Sequence, residues 1–133
     1  MSECCNGCEC GKNVLFYACS GGANVGEIAD KAAREMMFVG EGTMFCLAGL
    51  GAGIQGMVQT ARDADLNVVI DGCDVDCAKK IFDNCGVENY VQVKVTDLGI
   101  EKAKGARCTQ EQVDQVIAKV REVLAAKQEP SDG

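Results

Sequence analysis

The chain has 133 residues, ten Cys, no His and a formal net charge of −7. This length fits one ordinary domain. Its acidic balance and 5% aromatic content exclude a basic nucleic-acid face, an anionic-membrane face and a platform for stacked bases. No apolar run is long enough for a membrane span. The opening Met1-Ser2-Glu3-Cys4-Cys5 lacks the basic and apolar parts of an export signal. A reducing cytoplasm is therefore expected, where cysteines are more often buried, metal-bound or catalytic than cross-linked.

In chain order, residues 1–12 read as a Cys-rich arm with Cys4, Cys5, Cys8 and Cys10 in the pattern C-C-x-x-C-x-C. Dense Cys in a short tract points to metal binding, in its own site or as extra ligands to another, although the spacing matches no ferredoxin. The bland alternative is an oxidation-prone arm. Residues 14–19 form a continuous apolar run, as in a strand buried on both faces. Asn24 with Glu27 reads as a box-like N-cap, and Val25, Ile28, Ala29, Ala32 and Met36 recur at helical spacing over 24–38. Residues 43–48 read as a second strand, 49–53 as a Gly-rich turn and 54–64 as a helix.

Residues 66–71 read as a third strand, and 75–85 as a short helix that Gly86 ends. Tyr90 to Thr96 alternates, with Val91, Val93 and Val95 on one face, and reads as an edge strand. Thr109 and Gln112 predict a capping box for a last helix buried along Val113, Val116, Ile117, Val120 and Leu124. Lys79-Lys80 and Lys102 with Lys104 read as solvated faces. The expected fold is a single three-layer α/β domain over 13–128, Rossmann- or flavodoxin-like. Its sheet is mostly parallel, of four or slightly more strands, with helices on both faces, and 129–133 is a tail.

On this layout Cys19, Cys46, and the pair Cys73 and Cys77 fall at strand ends, where an open α/β sheet forms its ligand crevice. Without His, a soft-metal site here must be built from thiolates, and zinc accepts four of them. Asp71 is an extra oxygen ligand, a hydrogen-bond acceptor behind the ligands, or a cap for the next turn. Cys19 and Cys46 also read as small buried hydrophobes, while Cys85 and Cys108 read as structural.

Asp71-Gly72-Cys73, Cys77-Ala78-Lys79-Lys80, Tyr17-Ala18-Cys19-Ser20-Gly21, Phe45-Cys46-Leu47-Ala48-Gly49 and Val95-Thr96-Asp97-Leu98-Gly99 together resemble the DGC-domain family of zinc-binding proteins. The resemblance covers roughly residues 12–102. It implies zinc held by Cys19, Cys46, Cys73 and Cys77, and no particular reaction. One departure is Asp74-Val75, where family members often carry Pro.

A rival from the enzyme class makes Cys19 a thiolate nucleophile at a helix N-terminus, with Cys73 or Cys77 resolving it. A third reading rests on Gly51, Gly53 and Gly56, which match GxGxxG and have Asp71 twenty residues beyond Gly51. After a strand and before a helix, that pattern marks dinucleotide binding. Its bland counterpart is close packing at a turn.

Overall fold

The computed structural model describes residues 13–128. Cys4, Cys5, Cys8, Cys10 and the tail lie outside the described residues. The strands β1 (Val14–Ala18), β2 (Thr43–Met44), β3 (Leu66–Asp71) and β4 (Tyr90–Lys94) form a four-stranded, all-parallel sheet in the order β2-β1-β3-β4. The helices are α1 (Asn24–Phe38), α2 (Leu47–Gly51), α3 (Gln55–Asp63), α4 (Cys77–Cys85) and α5 (Gln110–Gln128).

Strand alternation sorts the core into two layers. Val14, Phe16 and Ala18 of β1 and Val68 and Ile70 of β3 pack with Ile28, Ala29 and Met36 of α1 and Val116 and Val120 of α5. Leu15, Tyr17 and Val69 turn the other way, onto Leu50 of α2, Val58 and Ala61 of α3, and Phe82 of α4. A strand buried on both sides needs apolar residues at every position, and β1 has them. The polar exception is a matched pair. The Tyr17 hydroxyl donates to Asn67 Oδ1 at 2.9 Å, and Asn67 Nδ2 donates to the Ala61 and Asn89 carbonyls. Burial pushes the Tyr17 phenol above its ordinary pKa and keeps it a neutral donor.

The strand order sets the location of the site. The chain leaves β1 outward to β2, then returns past β1 to β3. This reversal makes a switch point beyond the carboxyl ends of β1 and β3, the usual crevice of open parallel sheets.

Several local expectations hold. Gly86 ends α4 in the left-handed region at φ 73°. Thr109 Oγ1 accepts from the Gln112 N–H and Gln112 Oε1 accepts from the Thr109 N–H, a reciprocal box at the start of α5. β4 lies at a sheet edge, but it stops at Lys94. Val95–Leu98 is a 3-10 turn whose Thr96 N–H donates to the Gly72 carbonyl.

Others are corrected. Residues 43–48 are not one strand: pairing stops at Met44, and Cys46 is the cap residue of the short helix α2. Asn24 does not cap α1. Ala23 holds that position without a side-chain bond, and the Asn24 amide is buried against the 101–103 segment. Glu27 accepts from the Cys108 N–H and closes no box at the helix start. Among the described residues no helix is long and apolar enough to cross a membrane.

Candidate functional site

Cys19 follows β1 directly. Its N–H donates to the Ile70 carbonyl at 3.2 Å, which extends the β1–β3 ladder by one step, and its Sγ accepts from the Gly72 N–H at 3.3 Å. The sulfur is thereby stitched to the start of the loop after β3. Burial pushes the Cys19 thiol up, the Gly72 N–H opposes this, and the neighbouring Asp71, Cys77 and Cys73 push it further up. The amide at the sulfur is that of Gly72, not one from the start of α1, and burial outweighs it.

The Asp-Gly-Cys triplet divides its work among three residues. Asp71 is 1% exposed, and both its oxygens cap α4. Oδ1 accepts from the Ala78 N–H at 2.8 Å, and Oδ2 from the Lys79 N–H at 3.1 Å and from Gln92 Nε2 at 2.9 Å. A carboxylate at a helix N-terminus satisfies orphan donors and meets the positive end of the dipole. Gly72 permits close approach: a Cβ there would lie 2.9 Å from Val25 Cγ2 and 3.0 Å from the Val25 carbonyl. Gly26, the residue after Val25, does the same: a Cβ there would meet the Gly21 nitrogen at 2.7 Å. Cys73 supplies the thiol, and Lys102 Nζ stands 3.4 Å from its Sγ.

The loop from Cys73 to Cys77 is braced from β4. Gln92 Nε2 also donates to Asp76 Oδ1 at 2.9 Å, and Lys94 Nζ pairs with Asp76 at 3.0 Å and Asp74 at 3.3 Å. Lys94, then Gln92, hold the Asp76 carboxyl below its usual range. Asp76 itself is left-handed at φ 57°, and Ser20, just after Cys19, is left-handed at φ 55°. Among the described non-glycine residues only these two have positive φ, and each adjoins a crevice thiol.

Two cavities that share Cys19, Ser20 and Cys77 are lined between them by the four predicted cysteines. One, of about 310 Å³, is lined by Cys19, Cys73 and Cys77 with the 20–22 loop and Lys102. The other is lined by Cys19, Cys46 and Cys77 with Arg34 and Met44. Cys46 and Cys77 are exposed, Cys19 and Cys73 half-buried, and all four are free thiols. As the side chains stand, no group of three or more Cys, Asp or Glu among the described residues is gathered closely enough to hold an ion. Cys85 and Cys108 lie away from the crevice, half-buried against the two core layers.

The GxGxxG segment sits in a different context from the one its motif requires. Gly51 ends α2, Gly53 turns at φ 73° and Gly56 lies in α3, so a helix precedes the turn where the fingerprint needs a strand. None of the three lines either crevice cavity. Sequence reading missed Gln92 and Lys94, which alternate on an edge strand like any polar face. It also missed the placement of Lys102 at the crevice.

A family model, DGC domain, matches residues 15–120. The chain belongs to the DGC domain family. It is also 26% identical over 110 residues to the "Anaerobic and virulence modulator AnvM" of Pseudomonas aeruginosa, an alignment covering 83% of this chain and 84% of that protein. No solved structure matches. Within this DGC domain the triplet is a cap, a close contact and a thiol in consecutive residues, all at the switch point of the sheet.

Proposed function

We propose that this DGC domain binds a thiophilic metal ion, zinc, through Cys19, Cys46, Cys73 and Cys77. The observation that carries this reading is that Cys19 and Cys77 each line both crevice cavities, while Cys73 and Cys46 each line one. The four cysteines thus line two cavities that share Cys19 and Cys77. The donor set fits such an ion in kind: zinc takes four thiolates, and the chain has no imidazole to offer. Gathering the donors takes side-chain rotation, and the exposed Cys46 and Cys77 have room to turn inward.

Metal uptake also suits the state of Cys19. A bound ion displaces the thiol proton, so the site needs no thiolate formed in advance. The raised Cys19 thiol argues in the same measure against a standing nucleophile. Asp71 supports the site through the α4 cap that places Cys77, with both oxygens already occupied by donors. When bound, the ion supplies a cross-link between the strand ends and, with any open position, a Lewis-acid centre. Gln92 and Lys94 hold the 73–77 loop so that Cys73 and Cys77 face the crevice together.

The test is elemental analysis of untagged protein purified without oxygen, beside a Cys73→Ser/Cys77→Ser double variant. Near-stoichiometric zinc in the parent, lost in the variant and released by chelator, is the expected result. A metal-free parent with intact thiols would overturn the proposal. A single fast-reacting thiol, insensitive to chelator, would then favour thiol chemistry.

A further inference from the structure

The 101–105 segment forms a wall of the 310 Å³ cavity that the metal reading leaves unused. It carries Lys102 and Lys104. Asn24, 6% exposed, fixes it to the start of α1. The Asn24 N–H donates to the Ala103 carbonyl at 3.1 Å, its Oδ1 accepts from the Ala103 N–H at 2.7 Å, and its Nδ2 donates to the Glu101 carbonyl at 2.9 Å. Lys104 bridges Ala23, and the Gly105 N–H donates to the Gly22 carbonyl at 3.0 Å. A buried asparagine that makes three bonds to one distant segment, two from its side chain and one from its backbone, fixes where the backbone of both lysines stands.

The charge of this cavity runs against the rest of the chain. Acidic residues outnumber basic ones by 20 to 13, yet the lining contains two lysines and no carboxylate. Lys31, Lys79, Lys94 and Lys119 each face a carboxylate, whereas Lys102 and Lys104 form no ion pair with any described residue. Lys102 Nζ reaches the Cys73 sulfur, and the rest of the lining includes the apolar Ala23, Val25 and Val75. The volume sits at the small end of ligand pockets, which range over roughly 300–1,000 Å³.

We propose that this cavity binds a small organic carboxylate, its oxygens on Lys102 and Lys104 and its short hydrocarbon body against Ala23, Val25 and Val75. A lysine is a point charge that serves carboxylate and phosphate alike, but the apolar wall favours an anion with a carbon body over free phosphate. The cavity shares Cys19, Cys73 and Cys77 with the proposed metal site, but neither lysine is a metal ligand and no thiol is needed to hold the anion.

The test is an amide NMR titration of the full chain, chelator-treated and zinc-loaded in parallel, with pentanoate. Pentanamide serves as its neutral isostere and inorganic phosphate as the bare anion. Saturable shifts at Gly21, Gly22 and Gly72 with pentanoate, absent with pentanamide and weaker with phosphate, are expected. Lys102→Gln/Lys104→Gln should weaken binding roughly tenfold or more, the scale of losing a charge-assisted hydrogen bond, with zinc content unchanged. Val75→Asp, which adds a negative charge to the wall at a half-exposed position, should abolish it. Equal shifts from pentanoate and pentanamide, tighter binding of phosphate, a double variant that binds like the parent, or no shift at millimolar pentanoate would each overturn the proposal. Loss of zinc binding with pentanoate binding retained would sink only the metal reading.

Discussion

On the β3 side of the crevice, Cys73 and Cys77 ride on a loop held by side chains: Asp71 beneath the helix start, Gln92 across two carboxylates, Lys94 on Asp74 and Asp76. On the β1–β2 side the means differ. Cys19 is held by backbone ladder bonds and by α1 pressed close at Gly26, while Cys46 is exposed and caps α2 with no side-chain bond. One wall is a hydrogen-bonded frame, and the other is close packing that ends in a loose thiol. Frames of satisfied buried polar groups resist distortion and fail abruptly when one member is removed. Exposed, weakly held residues change with little cost. An ion that needs both walls would take its position from Cys73 and Cys77 and draw Cys46 to it.

The largest effect is expected from Asp71→Ala, which breaks the frame. Two helix N–H groups lose their acceptor and the Gln92 amide loses one of its two, and urea denaturation should show a loss of about 2–4 kcal/mol. Asp71→Asn keeps an acceptor and should lose less. Gly72→Ala attacks the contact between the walls. Its Cβ would collide with Val25, and strain of about 1–3 kcal/mol should appear in the same measurement. A loss as small as that of a surface change would mean that α1 yields there.

Alkylation of the metal-free protein sharpens the contrast without altering stability. Cys46 and Cys77 should react first and Cys19 last, because burial raises its thiol and shields it. Peptide mapping of iodoacetamide adducts reads the order, and a fast Cys19 would favour the nucleophile reading. Cys46→Ser should leave stability within about 0.5 kcal/mol of the parent while lowering zinc affinity.

The smallest effect concerns α1. The Cys108 N–H holds the Glu27 carboxyl below its usual 4.5, so this contribution is present above that pH and is lost as pH falls through the lowered value. The difference in urea midpoint between parent and Glu27→Gln should therefore shrink in the acid range. A difference independent of pH would show that Glu27 acts through packing alone.

Much of this arrangement is legible in the sequence where the signal is local. The bounds of α1 and β3 follow from helical spacing and from an unbroken apolar run, and the Thr109 box is closed by residues three apart. The residues Phe45-Cys46-Leu47-Ala48 are also an unbroken apolar run, yet they turn into a short helix. Periodicity alone does not separate a buried strand from a few apolar residues at a helix start. Asn24 looks like a cap because its true partners lie 77 and 79 residues away. Lys102 and Lys104 read as ordinary surface for the same reason: bonds to Gly22, Ala23 and Asn24, distant in sequence, bring them to the crevice. The Asp-Gly-Cys triplet is visible as a string, but the tasks of its three members depend on α4, α1 and β4 arriving around it.

Cys19, Ser20 and Cys77 line both cavities, so the two chambers share two of the four thiols. A guest that fixes either sulfur in one chamber changes what the other chamber presents. Thermodynamic reciprocity then requires each guest to alter the other's affinity by the same factor. The two chambers of this small domain are therefore linked like the pans of one balance: titrating one with the other empty and then full weighs the strength of the link directly.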